Sequence, residues 1–279
     1  MKRTSIGIIA TYLLIANVNT LHAQNWKSIG KKIGQKVETY VDKSLEEKPK
    51  QSSTTKDNTV SKDIKEQSGP FENLQRMRYD YERGTENIFA DDFSKDVIGE
   101  MATQWTSNGR GIVQDVDMVQ GKWLELFDGN TYKIKSLVRI PENFTVEFDV
   151  LALSDQKHQF RLDFGFDYQK GVGNHYYLAK NNPLNINASY WFNRFEFNTK
   201  EVKPNKNSEV KANMSYFVND IMKVKIHVEG ERMRTYINEY KILDTEMVDP
   251  MTKKYFYLAF NSDDKTANVY ISNFRIDKI

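Results

Sequence analysis

The chain has 279 residues, of which 39% are hydrophobic and 13% aromatic, and this composition can supply a sizeable core. Forty Lys and Arg against 38 Asp and Glu give a net charge of +2, so the chain lacks the strong positive field that concentrates nucleic acid. It contains no cysteine, which excludes disulfides, thiolate nucleophiles and thiolate metal ligands. We therefore expect a globular protein that is stabilised by packing alone and does not bind nucleic acid.

The N-terminus has the features of a signal peptide. Lys2 and Arg3 precede an apolar stretch from Ile6 to Ala16, and Leu21-His22-Ala23 comes directly before Gln24. We predict that residues 1–23 are removed after Ala23, with an uncleaved anchor as the alternative because Leu21 is larger than the residue usually preferred there. Export to the periplasm, the outer membrane or the extracellular space is expected.

Residues 24–45 carry the spacing of an amphipathic helix, followed by a polar segment. The apolar residues recur at steps of three and four, as on one helical face: Trp26, Ile29, Ile33, Val37, Tyr40 and Val41. Residues 26–41 are therefore predicted to contact a membrane surface or a protein partner, or to form a solvated spacer weakened by Gly30 and Gly34. Residues 46–78 are mostly polar and are predicted to be a disordered linker.

From Asn87 onward the hydrophobic period changes to two residues, which is typical of strands with one buried face. The clearest strands are Phe144 to Val150, Phe160 to Asp167, and Met222 to Glu229 with a hairpin into Arg232 to Asn238. Further strand candidates are Trp123 to Phe127, Tyr132 to Ile140, His175 to Ala179, Tyr190 to Phe197, Tyr255 to Phe260 and Asn268 to Ile276. Since no helices intervene, residues 79–279 are predicted to form an all-β, two-sheet antiparallel jelly-roll sandwich.

Several stretches carry a resemblance to known families. They are residues 79–84 (YDYERG), residues 87–94 (NIFADDFS), Gly99, Trp105, residues 121–126 (GKWLEL) and residues 141–149 (PENFTVEFD). These stretches resemble the N-terminal β-sandwich region of OmpA-family envelope proteins of Bacteroidetes. The closing stretches, Lys223 to Asn238 and Asn268 to Phe274, resemble the last strands of concanavalin A-like and laminin-G-like jelly rolls. The resemblance implies a cell-envelope location; because the chain ends at Ile279, where those proteins continue into a peptidoglycan-binding domain, peptidoglycan anchoring is not implied.

Carboxylates at alternate strand positions are a feature of some jelly-roll glycoside hydrolases, and Glu147 and Asp149 have this spacing. A second catalytic carboxylate farther along the strand is missing, since positions 151 and 153 are leucines. The simpler interpretation is a solvated polar strand face. No catalytic residue is therefore predicted.

No metal or cofactor site is predicted. His158, His175 and His227 are scattered without the close spacing of transition-metal ligands. Acidic loop residues such as Asp263 and Asp264 could help to hold calcium, as the resemblance to laminin-G-like domains, some of which bind it, implies, but loop oxygens have no recognisable sequence pattern. Calcium therefore stays an open alternative.

Aromatic residues are dense between His175 and Phe197, and flat rings of this kind stack on the C–H faces of sugars. With Tyr190 and Phe192 facing the core, Trp191, Tyr176 and Arg194 would form a surface platform. Ordinary cross-strand packing is the alternative. The candidate ligand-binding residues are Trp191, Tyr176, Arg194, Glu147 and Asp149.

The sequence thus favours a non-catalytic, secreted or cell-envelope binding module that recognises a glycan or another envelope component. The alternatives are a structural envelope protein with protein partners only, and an unusual glycoside hydrolase.

Overall fold

The computed structural model describes residues 69–71, 74, 77–155, 158–174, 184–200 and 205–279. The predicted signal peptide, the predicted helix at 24–45, most of the predicted linker and the strand candidate at 175–179 with Tyr176 lie outside the described residues. The described strands are β1 (Glu86–Asp91), β2 (Trp105–Ser107), β3 (Gly111–Asp115), β4 (Lys122–Leu126), β5 (Thr131–Ile134), β6 (Phe144–Leu153), β7 (Phe160–Asp167), β8 (Leu184–Ser189), β9 (Arg194–Thr199), β10 (Lys206–Lys211), β11 (Ile221–Glu229), β12 (Arg232–Ile237), β13 (Tyr240–Glu246), β14 (Tyr255–Ser262) and β15 (Asn268–Lys278). A short 3-10 helix spans Met214–Phe217.

The strands form two sheets in which every strand pairing is antiparallel. Sheet A has the order β13-β12-β11-β6-β15-β4-β3, with β1 also paired to β15. Sheet B has the order β10-β9-β8-β7-β14-β5-β2. Each sheet combines hairpin-paired strands with neighbours that are distant in sequence, such as β6 and β15 in sheet A and β7 and β14 in sheet B, as in jelly rolls. The predicted fold class, an all-β two-sheet antiparallel jelly-roll sandwich, is confirmed.

One hydrophobic core fills the space between the sheets. On β6, Phe144 and Phe148 point inward, and their rings lie 5.4 Å from Phe166 and 5.3 Å from Phe164 on β7 of the other sheet. These edge-to-face contacts join the two sheets directly. Alternate residues along each strand therefore leave the polar side chains on the two outer faces, while the space between the sheets is filled by the core.

The strand predicted from Tyr132 extends farther along the chain than the strand in the structure. Alternation continues through Val138 and Ile140, but β5 ends at Ile134 and the chain turns at Ser136, whose carbonyl accepts from the Val138 amide at 3.1 Å. Val138 and Ile140 still pack against the core, as partly buried residues outside any strand. The predicted strand at Tyr132 to Ile140 is therefore wrong in its second half, because apolar alternation also fits a loop that crosses the core edge.

The predicted strand from Tyr190 to Phe197 is likewise wrong in its first half. Residues 190–193 form the turn that joins β8 to β9, which begins only at Arg194. Asn193 adopts a left-handed conformation, with φ of 53°, which Asn tolerates and which closes the turn. The turn reverses the chain, so Phe192 is exposed rather than facing the core as expected, whereas Tyr190 is buried and Trp191 is exposed as predicted.

Residues that the sequence assigned to the linker also contact the sandwich. The backbone amide of Asn213 donates to the carbonyl of Pro70 at 2.7 Å, and Phe71 is buried with its ring 6.1 Å from Phe195 and 6.0 Å from Phe217. A single aromatic in a polar stretch gives no periodicity, so the sequence did not indicate this contact. None of the helices in the described ranges is long and apolar enough to cross a membrane.

Candidate functional site

The turn between β8 and β9 carries two exposed aromatic side chains. Trp191 is 48% and Phe192 61% exposed, and their rings stack with centroids 5.8 Å apart at 17°. The amide of Phe192 donates to the Ser189 hydroxyl at 3.2 Å, which fixes the turn. Neighbouring exposed rings of this size leave apolar surface in water and mark a contact site.

These rings form one wall of a groove of about 220 Å³ on the outer face of sheet B, here called the aromatic groove. Its floor and opposite wall are polar and come from four strands and the residues beside them: Gln159, Arg161, Asn187, Ser189, Arg194, Glu196, Asn261 and Asp263. The groove is small and open, so it accommodates a single ring-sized group rather than a buried ligand.

Arg194 holds the aromatic wall in place. Its guanidinium carbon lies 4.9 Å from the centre of the Phe192 ring, a cation–π contact. The same guanidinium pairs with Glu196 and, at 3.2 Å, with Glu209 on β10. Because both ends of the contact are fixed by the sheet, Phe192 is held before any ligand arrives, which lowers the entropy cost of binding.

Asp163 on β7 fixes the polar floor. Its side chain is only 4% exposed, and Oδ1 accepts hydrogen bonds from Asn187 at 2.8 Å and Asn185 at 3.2 Å. Its other oxygen lies 3.3 Å from the Arg161 Nε. One buried carboxylate thus orients two amides and a guanidinium on the floor of the sheet.

The arrangement suits a hydroxylated ring. Flat aromatic faces pack on C–H groups, while amides and carboxylates on the floor accept and donate hydrogen bonds. Both arginines at the groove are already paired with carboxylates, Arg161 with Asp163 and Arg194 with Glu196 and Glu209. The aromatic groove therefore presents no uncompensated positive charge.

The structure brings together two of the sequence-predicted site residues and separates the others. Trp191 and Arg194 line the aromatic groove. Tyr176 lies outside the described residues. Glu147 and Asp149 are on β6, on the outer face of sheet A, so they cannot share a ligand with Trp191.

Glu147 is already bound by residues of its own chain. Its Oε1 accepts from the Tyr81 hydroxyl and from Arg83 Nε, both at 2.6 Å, and Arg83 also reaches Oε2 at 2.5 Å. Burial alone would raise the pKa of Glu147, but the hydrogen bonds from Arg83 and Tyr81 outweigh it and lower the pKa below its usual value. Glu147 is therefore a structural anchor for the segment before β1.

That segment, residues 77–84, is here called the strap. The Tyr79 and Tyr81 rings lie 5.5 and 5.3 Å from the Tyr236 ring on β12. Asp80 accepts from the Tyr236 hydroxyl at 2.7 Å and from Lys241 at 2.8 Å. The strap thus crosses the outer face of sheet A and covers part of it.

Replacing Glu147 with Gln is expected to destabilise the fold by about 1–2 kcal/mol at neutral pH, a charge-assisted contribution reduced because Arg83 is 50% exposed. Because the folded pKa of Glu147 is lowered from 4.5, this stabilisation is present above that value and is lost as the pH falls through the folded pKa. Urea unfolding of both proteins from pH 7 down to pH 3 measures the difference. The exposed Glu142→Gln variant is the control, and a difference that stays constant with pH would contradict the role given to the pair.

The described residues contain no group of three or more His, Asp or Glu side chains placed to bind a metal ion. Of the calcium candidates, Asp264 uses Oδ1 to accept from the Thr266 hydroxyl at 2.7 Å and Oδ2 to accept from the Ser154 hydroxyl at 2.7 Å. Both of its oxygens serve to shape the turn between β14 and β15.

Sequence reasoning missed several groove residues. Phe192 was expected to face the core, and Asn187, Glu196 and Asp163 were not singled out. Asn185 and Asn187 alternate with Leu184, Ile186 and Ala188, so a polar strand face was visible there. What linked that face to Trp191 is the β7–β8–β9 pairing, which no local pattern reveals.

No family model matches the chain, and no curated protein matches it. Among solved structures, the carbohydrate recognition domain of Emp47p aligns with a TM-score of 0.50 at 8% identity, over 70% of this chain and 97% of that domain. Carbohydrate-binding module CBM66 from Bacillus subtilis aligns with a TM-score of 0.44 at 19% identity, over 63% of this chain and 96% of the module. A sialidase aligns with a TM-score of 0.46 at 15% identity, over 70% of this chain but only 19% of the sialidase. At these identities the likeness to the Emp47p domain shows a shared fold.

Proposed function

We propose that the protein is a non-catalytic binding module whose aromatic groove recognises a sugar ring of a glycan. The observation that carries this proposal is the pair of stacked, exposed rings of Trp191 and Phe192 beside an ordered polar floor. Such a combination of flat apolar face and fixed hydrogen-bonding groups matches the two faces of a sugar. The ligand is a neutral sugar, because the arginines at the groove are paired with carboxylates.

We also propose that the protein acts at the cell envelope or outside the cell. Export through the N-terminal segment, together with the resemblance of residues 79–149 to OmpA-family envelope proteins, supports a role at the cell envelope or outside the cell. The glycan is then a component of the envelope or of the surroundings that the exported protein meets. The aromatic groove does not support calcium binding, because the residues that line it provide only two carboxylates, Glu196 and Asp263.

Replacing Trp191 with Ala is expected to weaken glycan binding about tenfold, the loss of one stacking ring. The full chain is screened on an array of neutral and acidic glycans, and the affinity for the best ligand is then measured by calorimetry for the wild type and the variant. Phe192→Ala is expected to have a similar effect. Neither exposed side chain supports the core, so thermal stability stays within about 0.5 kcal/mol of the wild type.

The matched control is Leu137→Ala, an exposed apolar residue (65%) in the loop that follows β5, on the far side of sheet B. It is expected to leave the affinity unchanged. Wild-type affinity in both aromatic variants would remove the groove from the binding site. If the protein binds none of the arrayed glycans and crosslinking recovers envelope proteins, the result would favour a structural envelope protein. If it hydrolyses a bound glycan, the protein is an enzyme.

A further inference from the structure

A second groove, lined by described residues, lies on the opposite side of the sandwich from the aromatic groove. It has a volume of about 630 Å³ and is here called the polar groove. Its floor is the outer face of sheet A, and its walls are Arg83 of the strap and the chain from Ala90, near the end of β1, to Lys95. The floor side chains come from three neighbouring strands: Glu147 and Asp149 on β6, Lys223 and Lys225 on β11, and Asn273 and Arg275 in the middle of β15.

Several charges of the polar groove are paired within the protein. Glu147 binds Arg83, and Arg275 makes two hydrogen bonds to Asp277, at 2.6 and 2.7 Å. Asp91 accepts from the Trp105 indole and the Phe93 amide, both at 3.0 Å. These groups build the groove and are not available to a ligand.

Three lysines of the polar groove make no close ion pair with a described carboxylate, although Lys223 and Lys225 lie opposite Asp149 and Glu147 in the sheet. In the part of the chain that the structure describes, Lys95 and Lys223 make no hydrogen bond or ion pair through Nζ. Lys225 donates to the Tyr79 hydroxyl at 2.7 Å and lies 5.0 Å from the centre of the Tyr81 ring. It also faces its cross-strand neighbour Glu147, whose pKa its charge helps to lower. Against these three cations stand Asp149 and the exposed Asp92. In the polar groove, the ammonium groups without a close ion pair therefore outnumber these carboxylates by three to two.

The backbone on both sides of the polar groove adopts unusual conformations. Phe93, a fully buried bulky residue, has φ of 58°, and Asn273 has φ of 53°. Asn273 occupies a β-bulge, since Ser272 pairs with Asp149 but Arg275 already pairs with Glu147. Positive φ at a bulky residue costs free energy and is found most often near functional sites.

The bulge also re-aims a side chain. Asn273 donates from Nδ2 to Asp149 Oδ2 at 2.8 Å and so fixes the carboxyl at the centre of the floor. Burial raises the pKa of Asp149 despite this hydrogen bond and the nearby lysine charges. The charged and titratable groups that face Asp149 are Lys223 and Lys225 of β11, Glu147 of its own strand, Arg275 of β15, Asp92 and Lys95 of the wall, and Arg83 of the strap.

We propose that the polar groove is a second binding site, which takes an oxyanion carried by a ligand and holds it between Lys95, Lys223 and Lys225. Ammonium groups from two elements converge on one cavity, and an acceptor-rich group such as phosphate, sulfate or carboxylate satisfies them. Asp149 opposes the anion when ionised and donates a hydrogen bond to it when protonated. Anion binding and protonation of Asp149 are therefore coupled.

The test is an NMR titration of the isotope-labelled full chain with inorganic phosphate at constant ionic strength. We expect saturable shifts at Lys95, Lys223 and Asn273, with none at Trp191. Lys223→Gln is expected to weaken binding at least threefold, whereas Lys211→Gln, which removes an exposed lysine on sheet B, leaves it unchanged. Absence of saturable shifts, or equal weakening by both variants, would overturn the site.

The Asp149→Asn variant gives the sharpest outcome, because it keeps the shape of the side chain and removes its charge. We expect it to bind phosphate several-fold more tightly than the wild type. Sulfate, whose charge is constant, is expected to bind the wild type more tightly as the pH falls towards the raised pKa of Asp149, and to bind this variant without that pH dependence. Unchanged or weaker phosphate binding by the variant would contradict the proposal that the charge of Asp149 opposes the anion.

The source of the anion is resolved by competition. Displacement of phosphate by glucuronate would identify the carboxylate of an acidic sugar as the ligand, and failure to displace it would assign the site to phosphate or sulfate groups. Trp191→Ala is expected to leave phosphate binding and its competition with glucuronate unchanged. The test of the polar groove is therefore independent of the test of glycan binding.

Discussion

Replacing Gly165 with Ala is expected to be among the most damaging single changes in the protein, at about 3 kcal/mol or more. Gly165 lies on β7 in the middle of sheet B with φ of 150°, a backbone conformation that L side chains rarely adopt. A Cβ there would lie 2.2 Å from the backbone oxygen of Leu184 on β8. Because a strand backbone cannot move aside as a side chain can, the β7–β8 pairing must open.

Thermal unfolding measures this effect, with an expected fall in Tm of about 6–12 °C for a domain of this size. Gly171→Ala is the matched control, since a Cβ there meets nothing within 4 Å and its φ is not in the left-handed region. Its Tm is expected to stay within about 2 °C of the wild type. Equal Tm values for the two variants would show that β8 is not held tightly against β7.

Replacing Phe274 with Ala is expected to destabilise the protein by about 3–5 kcal/mol, the cost of a large cavity in a packed core. Phe274 is 1% exposed, and its ring lies 5.0 Å from Trp105, 4.8 Å from Phe256 and 6.0 Å from Phe148. Trp105 and Phe256 belong to sheet B, whereas Phe148 belongs to sheet A. The ring therefore joins the two sheets, and its loss weakens both.

Urea unfolding followed by tryptophan fluorescence gives the free energy, with the slope m unchanged if the native state keeps its shape. Phe192→Ala removes a ring of the same kind that is 61% exposed, and it is expected to change stability by less than about 0.5 kcal/mol. The two variants thus separate the aromatics of the core from those of the aromatic groove. A small loss for Phe274→Ala would mean that the core refills the cavity.

The fold was predictable because each outer face of the sandwich is polar. Alternation along Phe144 to Val150 and Phe160 to Asp167 reports directly which side of the strand is buried, and both strands are confirmed. Alternation of apolar and polar residues does not show where a chain reverses. The predicted strand therefore continued beyond the end of β5, and the turn at residues 190–193 was predicted to be part of a strand.

The candidate site was only partly predictable, because its geometry depends on contacts between distant residues. Aromatic density pointed to Trp191 and Arg194, but the exposure of Phe192 follows from the turn. Glu147 had the sequence features of a ligand-binding carboxylate, yet its partner Arg83 lies 64 residues away in the chain. A local pattern shows which face a side chain is on and cannot show what already occupies it.

The pairing of β1 with β15 has a mechanical consequence. Glu86, where the strap enters the sheet, lies opposite Lys278 near the end of the last strand. A pulling force applied between these two points therefore acts at one end of the ladder and breaks its hydrogen bonds one after another, as a zipper opens. Tension on the chain before β1 would be borne first by the contacts of Pro70, Phe71 and the strap, and only after these are broken by β1, which can peel away while the rest of sheet A stays paired.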